Sequence, residues 1–247
     1  MQSLHPAPTL AHTLSQFDAD LESVRSLTLE MGGLVEQRVQ RALDAFVTGD
    51  LRIADEVVAC DRRVNAMQVS IDEECTTVIA RRHPAAVDLR LLITIGRIIT
   101  DLERVGDEAE KVARMAQLIY DRGQGHTVPH IEIRHIANVA LDMLDKSLAA
   151  FARLDTTAAV EVVRKDGQVD DEYRSIIRQM VTYMMADAHT VAHGLEILFA
   201  AKAVERMGDH AKNIAEYVIY LVKGKDVRHV SLDEVEREAV GTDGSTA

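Results

Sequence analysis

The sequence predicts an all-α protein built as two tandem, homologous three-helix bundles, six long helices in all. Three observations predict it. Helix breakers are scarce, with four prolines and thirteen glycines in 247 residues. Apolar residues recur at three- and four-residue steps along most of the chain, which is the spacing of one helical face. The chain also repeats itself. Ala42 to Asn65 aligns without a gap on Ser147 to Asp170 at an offset of 105, pairing Leu43 with Leu148, Phe46 with Phe151, Asp50 with Asp155 and Val64 with Val169. Further on, Glu103-Arg104 and Gly106-Asp107 match Glu205-Arg206 and Gly208-Asp209 at an offset of 102. Chance aligns apolar residues of two helices readily, but seldom the caps, glycines and charges as well.

The elements follow in order. Residues 1–12 are polar with two prolines and are expected to form a flexible arm. A first helix runs from about Thr13 to Val47, with a bend expected at Gly32-Gly33. Asp50 is the expected N-cap of a second helix reaching about Arg82, and Pro84 breaks the chain after it. A third helix ends near Arg122, closing the first bundle over 13–122. Residues 123–132 hold the clustered Gly and Pro of GQGHTVPH and read as the linker. The second bundle, 133–224, comprises helices from about Ile133 to Leu154, Thr156 to Met185 and Thr190 to Val222, with Gly224 as a C-cap. The polar, acidic segment 225–247 is expected to be largely disordered.

The net charge of −12 disfavours phosphate backbones, and so nucleic acid. It favours cations or basic protein surfaces. No apolar run reaches the roughly 20 residues that span a bilayer, and the first residues lack the pattern of a signal peptide. A cytoplasmic location follows, with Cys60 and Cys75 as buried thiols. No Gly-rich phosphate loop, Ser/His/Asp set or reactive-Cys context stands out.

The residues that carry chemistry are pairs of acids four apart. Glu103 with Asp107, Glu205 with Asp209 and Asp166 with Asp170 each stack two carboxylates on one helix face; Asp61 with Asn65 is the fourth pair. Like charges at this spacing weaken a helix by a few tenths of a kcal/mol. In a three-helix unit the middle and last helices are antiparallel neighbours, so two pairs can face each other across a groove. Four such side chains repel unless a cation intervenes, and carboxylates suit Mg, Ca, Mn, Fe or Zn. Gly106 and Gly208 allow close approach of either a helix or a metal cluster. The alternative is that the pairs are solvated or salt-bridged, with Lys111, Arg104 and Arg206 at hand. Weaker metal candidates are the His189/His193 pair and the single ExxH of Glu132 and His135. Met180, Met184, Met185 and Met207 read as core or groove lining.

Asp88 to Arg114 and Val204 to Gly224 closely resemble the two signature helices of the PhoU family of phosphate-specific transport accessory proteins. MGGLVE (Met31 to Glu36) and RRHPAAVDLR (Arg81 to Arg90) fit as well, so the resemblance spans roughly Phe17 to His229. It implies two three-helix bundles and a non-catalytic cytoplasmic adaptor, often a homodimer. Such an adaptor is a negative regulator of the phosphate-starvation response. It bridges the ATPase subunit of the phosphate ABC importer and the sensor histidine kinase, and it limits phosphate uptake. The resemblance further implies multinuclear metal sites, of Fe, Zn, Mn or Mg, at Asp61, Asn65, Glu103, Asp107, Asp166, Asp170, Glu205 and Asp209. Asn65 departs from that pattern, so the second bundle is expected to bind metal more tightly. A carboxylate-rich helical metalloenzyme is the alternative reading.

Overall fold

A computed structural model describes residues 8–59, 61–121 and 130–240, with the side chains of 8–15, 61, 130–132 and 240 outside that description. Eight α-helices lie within it: α1 (Pro8–Thr48), α2 (Leu51–Ala59), α3 (Asp61–Arg82), α4 (Ala86–Asp121), α5 (His130–Arg153), α6 (Thr156–Ala186), α7 (Val191–Lys223) and α8 (Leu232–Val240). The described residues contain no strand. Cys60 between α2 and α3, and the expected linker up to 129, lie outside the description.

The caps explain most boundaries. Asp50 accepts from the Arg52 and Ile53 amides at 3.0 and 3.3 Å. Its repeat equivalent Asp155 accepts from Thr157 and Ala158 at 3.0 Å each, so the two halves enter their middle helices alike. Gly224 ends α7 in the left-handed region at φ 74°, its amide donating to the Tyr220 carbonyl at 2.8 Å.

Two expectations are corrected, and Gly32 gains a reason. The first helix begins at Pro8, inside the expected arm, because proline's fixed φ and missing N–H suit the first helical position. It is continuous through Gly32-Gly33. The reason for Gly32 is packing: a Cβ there would lie 2.7 and 2.9 Å from the Leu148 methyls on α5. The C-terminal segment contains α8, where disorder was expected. Glu234 makes the return half of a capping box, the Ser231 amide and hydroxyl both donating to its Oε2 at 3.0 Å. Val235 and Ala239 are buried against α6.

Packing makes one core of the two halves. α1 and α4 hold α2 and α3, while α5 and α7 hold α6. The halves meet where α4 lies antiparallel to α7, the most extensive helix pair in the molecule, and where α1 meets α5. The α4 stripe of Thr94, Ile98, Asp101, Val105, Glu108 and Val112 is buried. So is its equivalent on α7: Glu196, Ala200, Ala203, Met207, His210 and Ile214. Among the described residues no helix is long and apolar enough to cross a membrane.

Candidate metal centre

The second half brings its four acids to one groove. Asp166 and Asp170 come from α6, Glu205 and Asp209 from α7. Val169, between the α6 acids, packs against Gly208, where a Cβ would stand 3.3 Å from Val169 Cγ1. That contact draws the two backbones together, so the glycine's place is explained by helix approach. The groove is electrostatically loaded. Burial pushes the Asp209 carboxyl up to about 6, and repulsion from Glu205, Asp166 and Asp170 adds to it, against the pull of Lys202.

The chain supplies cations of its own. Lys202 Nζ donates to both Glu205 oxygens at 2.6 and 2.5 Å. Lys212 Nζ donates to Asp166 Oδ2 at 2.6 Å, and Arg174 reaches Asp170 at 3.3 Å. Among the described residues no three His, Cys, Asp or Glu side chains are placed so as to share an ion. The donor set suits a hard cation chemically, and Asp209 carries the repulsion such a cation relieves. The lysines hold the positions from which two of those carboxylates would reach it.

The first half is built differently. Asn65 on α3 and Glu103 and Asp107 on α4 are half-buried; the side chain of Asp61 lies outside the described residues. Val64 packs toward Gly106 as Val169 does toward Gly208, a Cβ on Gly106 lying 3.6 Å from Val64 Cγ1. Here, however, Arg38 of α1 enters: its Nη1 stands 3.1 Å from that same Cβ position, and its Nη2 is 3.5 Å from Glu110.

The basic neighbours weighed as salt-bridge partners turn elsewhere. Lys111 bonds Glu108 at 2.9 Å, Arg206 bonds Glu108 at 3.2 Å, and Arg104 approaches Asp101 at 3.9 Å. Asp101 is 2 % exposed. His210 Nδ1 lies 2.7 Å from its Oδ1, and Asn213 donates to the same oxygen at 3.3 Å. This polar strip in the α4–α7 seam escaped the sequence reading. The signal was present: Asp101 and Glu108 occupy an otherwise apolar stripe at seven-residue spacing.

The remaining candidates disperse. His189 is exposed in a short 3-10 turn, whereas His193 is buried on α7 with Nδ1 3.8 Å from Glu196. His135 is exposed and sits 3.1 Å from Glu172. Met180 and Met207 are core, Met184 packs on Gly194, and Met185 is exposed. Cys75 is buried, and burial pushes its thiol up to about 11, which makes it inert.

The sequence matches the PhoU domain family over residues 28–116 and 133–218, one copy in each half. A phosphate-specific transport system accessory protein PhoU homolog of Pseudomonas aeruginosa is 46% identical over 237 residues, 96% of this chain and 98% of the relative. The phosphate-specific transport system accessory protein PhoU of Escherichia coli is 42% identical over 232 residues, 94% of this chain and 95% of the relative. The crystal structure of PhoU from Pseudomonas aeruginosa superposes with a TM-score of 0.82 at 47% identity, covering 85% of this chain and all of the other. The phosphate transport system regulatory protein PhoU from Streptococcus pneumoniae gives 0.79 at 27% identity, covering 85% and 99%.

Proposed function

The chain belongs to the PhoU family, and on that premise we propose that it is a regulatory accessory protein of a phosphate-transport system. It works as a non-catalytic cytoplasmic adaptor, as a homodimer. It contacts the ATPase subunit of the phosphate ABC importer and the phosphate-sensing histidine kinase. By doing so it restrains the phosphate-starvation response and limits uptake.

The observation that carries this reading is the duplicated Glu-Arg-x-Gly-Asp helix, on α4 and again on α7, the second of which faces Asp166 and Asp170 of α6. In the second groove three carboxylates crowd around Asp209, with two lysines paired to the groove acids. A Mg, Mn, Fe or Zn ion bound there would supply positive charge and fix how α6 and α7 cross. Lys202 and Lys212 must swing away for Glu205 and Asp166 to turn inward. Metal and lysine therefore compete, which makes the groove's surface responsive to its occupant. In the first groove Arg38 holds the corresponding place with a fixed charge, so the second is the tighter metal site.

Two measurements test this. In cells lacking the protein, the wild type should silence a phosphate-starvation reporter in ample phosphate, and the purified chain should bind the kinase's soluble domain. A folded variant with Glu103, Asp107, Glu205 and Asp209 replaced by Ala should lose the silencing. Full silencing by that variant would remove the grooves from the function. Metal content after chelator-free purification, compared between wild type and Lys202→Ala/Lys212→Ala, tests the competition; equal or lower content in the double variant argues against it.

A further inference from the structure

Single exposed apolar side chains are ordinary on a protein surface, but a cluster of them is not. Such a cluster stands where α6 turns into α7. On α7, Val191, Leu195 and Phe199 recur every fourth residue and so form one stripe along the helix. Beside it α6 presents Val181 and Met185, again four apart. On its other side lies Leu118 of α4, which continues the stripe of Glu108 and Lys111 to which Arg206 of α7 reaches. Met185 is 83 % exposed, Phe199 62 %, and the other four 40–44 %. Packing fixes the two helix ends to each other. A Cβ on Gly194 would stand 2.7 Å from Met184 Cγ, and the Thr190 hydroxyl donates to the Asp187 carbonyl at 2.6 Å across the turn.

The chain has little of its own to lay over this face. The stretches 1–7, 122–129 and 241–247, outside the described residues, hold only Met1, Leu4 and Val128 as large apolar side chains. The extent of the face suits a dimer: its six side chains expose about 500 Å2, and each partner of a standard interface buries roughly 800 Å2, a little over half of it apolar. Charge suits a second copy as well. Two chains of net charge −12 repel each other over most of their surface. Here the exposed Arg178, with Lys202 and Arg206, marks one end of the stripe, and the exposed Asp187 marks the other. Lys202 and Arg206 hold Glu205 and Glu108 of their own chain, yet their side chains stay 46 and 48 % exposed. A two-fold axis at Leu195 runs two such stripes antiparallel. It lays Phe199 of each copy over Val191 of the other and brings each basic end to the other copy's Asp187.

We propose that two copies of the chain join through this face, with the two-fold axis at Leu195, an assignment that rests on the homodimer reading given above. The contact is isologous and has an apolar centre with a charged rim. Phe199 and Leu195 are its central anchors, and Met185 packs at its edge.

Sedimentation equilibrium of the full chain with EDTA present tests this on wild type, Phe199→Asp and Leu195→Asp, with Val69→Asp as the control at an exposed position of α3. Wild type and Val69→Asp should sediment as dimers of equal affinity. Phe199→Asp and Leu195→Asp should each weaken association about 100-fold or more, and Met185→Lys about tenfold. All are exposed positions, and Met185→Lys, at the most exposed of the six, decides alone if the Asp variants lose their circular-dichroism signal. A wild type still monomeric at about 100 μM overturns the homodimer reading and this assignment together. A dimeric wild type whose face variants associate equally well overturns the assignment alone and puts the dimer contact elsewhere. Equal weakening by Val69→Asp overturns it too, because added charge anywhere would then suffice. Loss of the kinase's soluble domain by Phe199→Asp, in a chain that stays dimeric, gives the face to that partner instead.

Discussion

Replacing Glu216 by Gln should stabilise the protein, by an amount that grows as pH rises above about 4.5. Glu216 is 7 % exposed on α7. Burial pushes its carboxyl up to about 7 from an ordinary 4.5; Lys212 pulls it down, and Asp166 and Asp226 push it further up. An acid whose folded value lies above its unfolded value favours the fold while protonated and opposes it once ionised. Stability is therefore lost as pH rises from about 4.5 to beyond 7. Linkage between these two values gives a deficit of about 0.4 kcal/mol at pH 4.5 and about 3 kcal/mol at pH 8. Residual hydration lowers the latter toward about 2 kcal/mol. Gln keeps the shape and the hydrogen-bonding capacity but cannot ionise. Urea unfolding followed by circular dichroism, on metal-free wild type and Glu216→Gln, should give nearly equal free energies at pH 4.5. At pH 8 the variant should be more stable by about 2–3 kcal/mol. A variant less stable than wild type at pH 8, or an equal difference at both pH values, would refute the reasoning.

Other outcomes follow from contacts described above. Gly32→Ala should destabilise by about 1–3 kcal/mol, because its Cβ meets the Leu148 methyls inside 3 Å; Leu148→Ala in the same chain should recover part of the melting temperature. Gly224→Ala should cost about 1 kcal/mol or more in urea unfolding, since φ 74° disfavours an L side chain and the Arg90 guanidinium stands 2.7 Å from the new Cβ. Val235→Asp, with a charge at a position 1 % exposed, should release α8 and lower the melting temperature by several degrees. Limited proteolysis should then cut after Gly224 in the variant before it does so in wild type.

What the sequence disclosed depended on whether the cause was local. Asp50, Asp155 and Gly224 were readable because capping involves only neighbours in the chain, and the six long helical stretches of the repeat followed from their apolar spacing. The groove acids were found because Glu205 and Asp209 recur in step with Glu103 and Asp107. Their cations were not, because Lys202 and Lys212 sit at ordinary surface spacing and only the crossing of α6 and α7 brings Lys212 to Asp166. The packing reason for Gly32 was not readable, because Leu148 lies on another helix. Composition misled at the C-terminus, where acidic residues outweighed the SLDE capping signal and the spacing of Val235 and Ala239. Arg38 carries no local sign of burial; only its alignment on Met143 does.

The seam between α4 and α7 bears on which chains can recognise each other. At its two ion-pair contacts, acids of α4 meet bases of α7: Asp101 meets His210 and Glu108 meets Arg206. Because the helices are equivalent and antiparallel, an α4 that met the α4 of another chain in the same register would set Asp101 against Glu108, twice over. Two buried carboxylates facing each other are costlier than a carboxylate hydrogen-bonded to an imidazole. A half-opened molecule therefore has little to gain by exchanging its first bundle with a neighbour, and it recloses on its own α7. The duplication that made two similar halves would otherwise invite such mispairing. Setting acid on one copy against base on the other at these two contacts lets a repeated sequence tell its own partner from its twin.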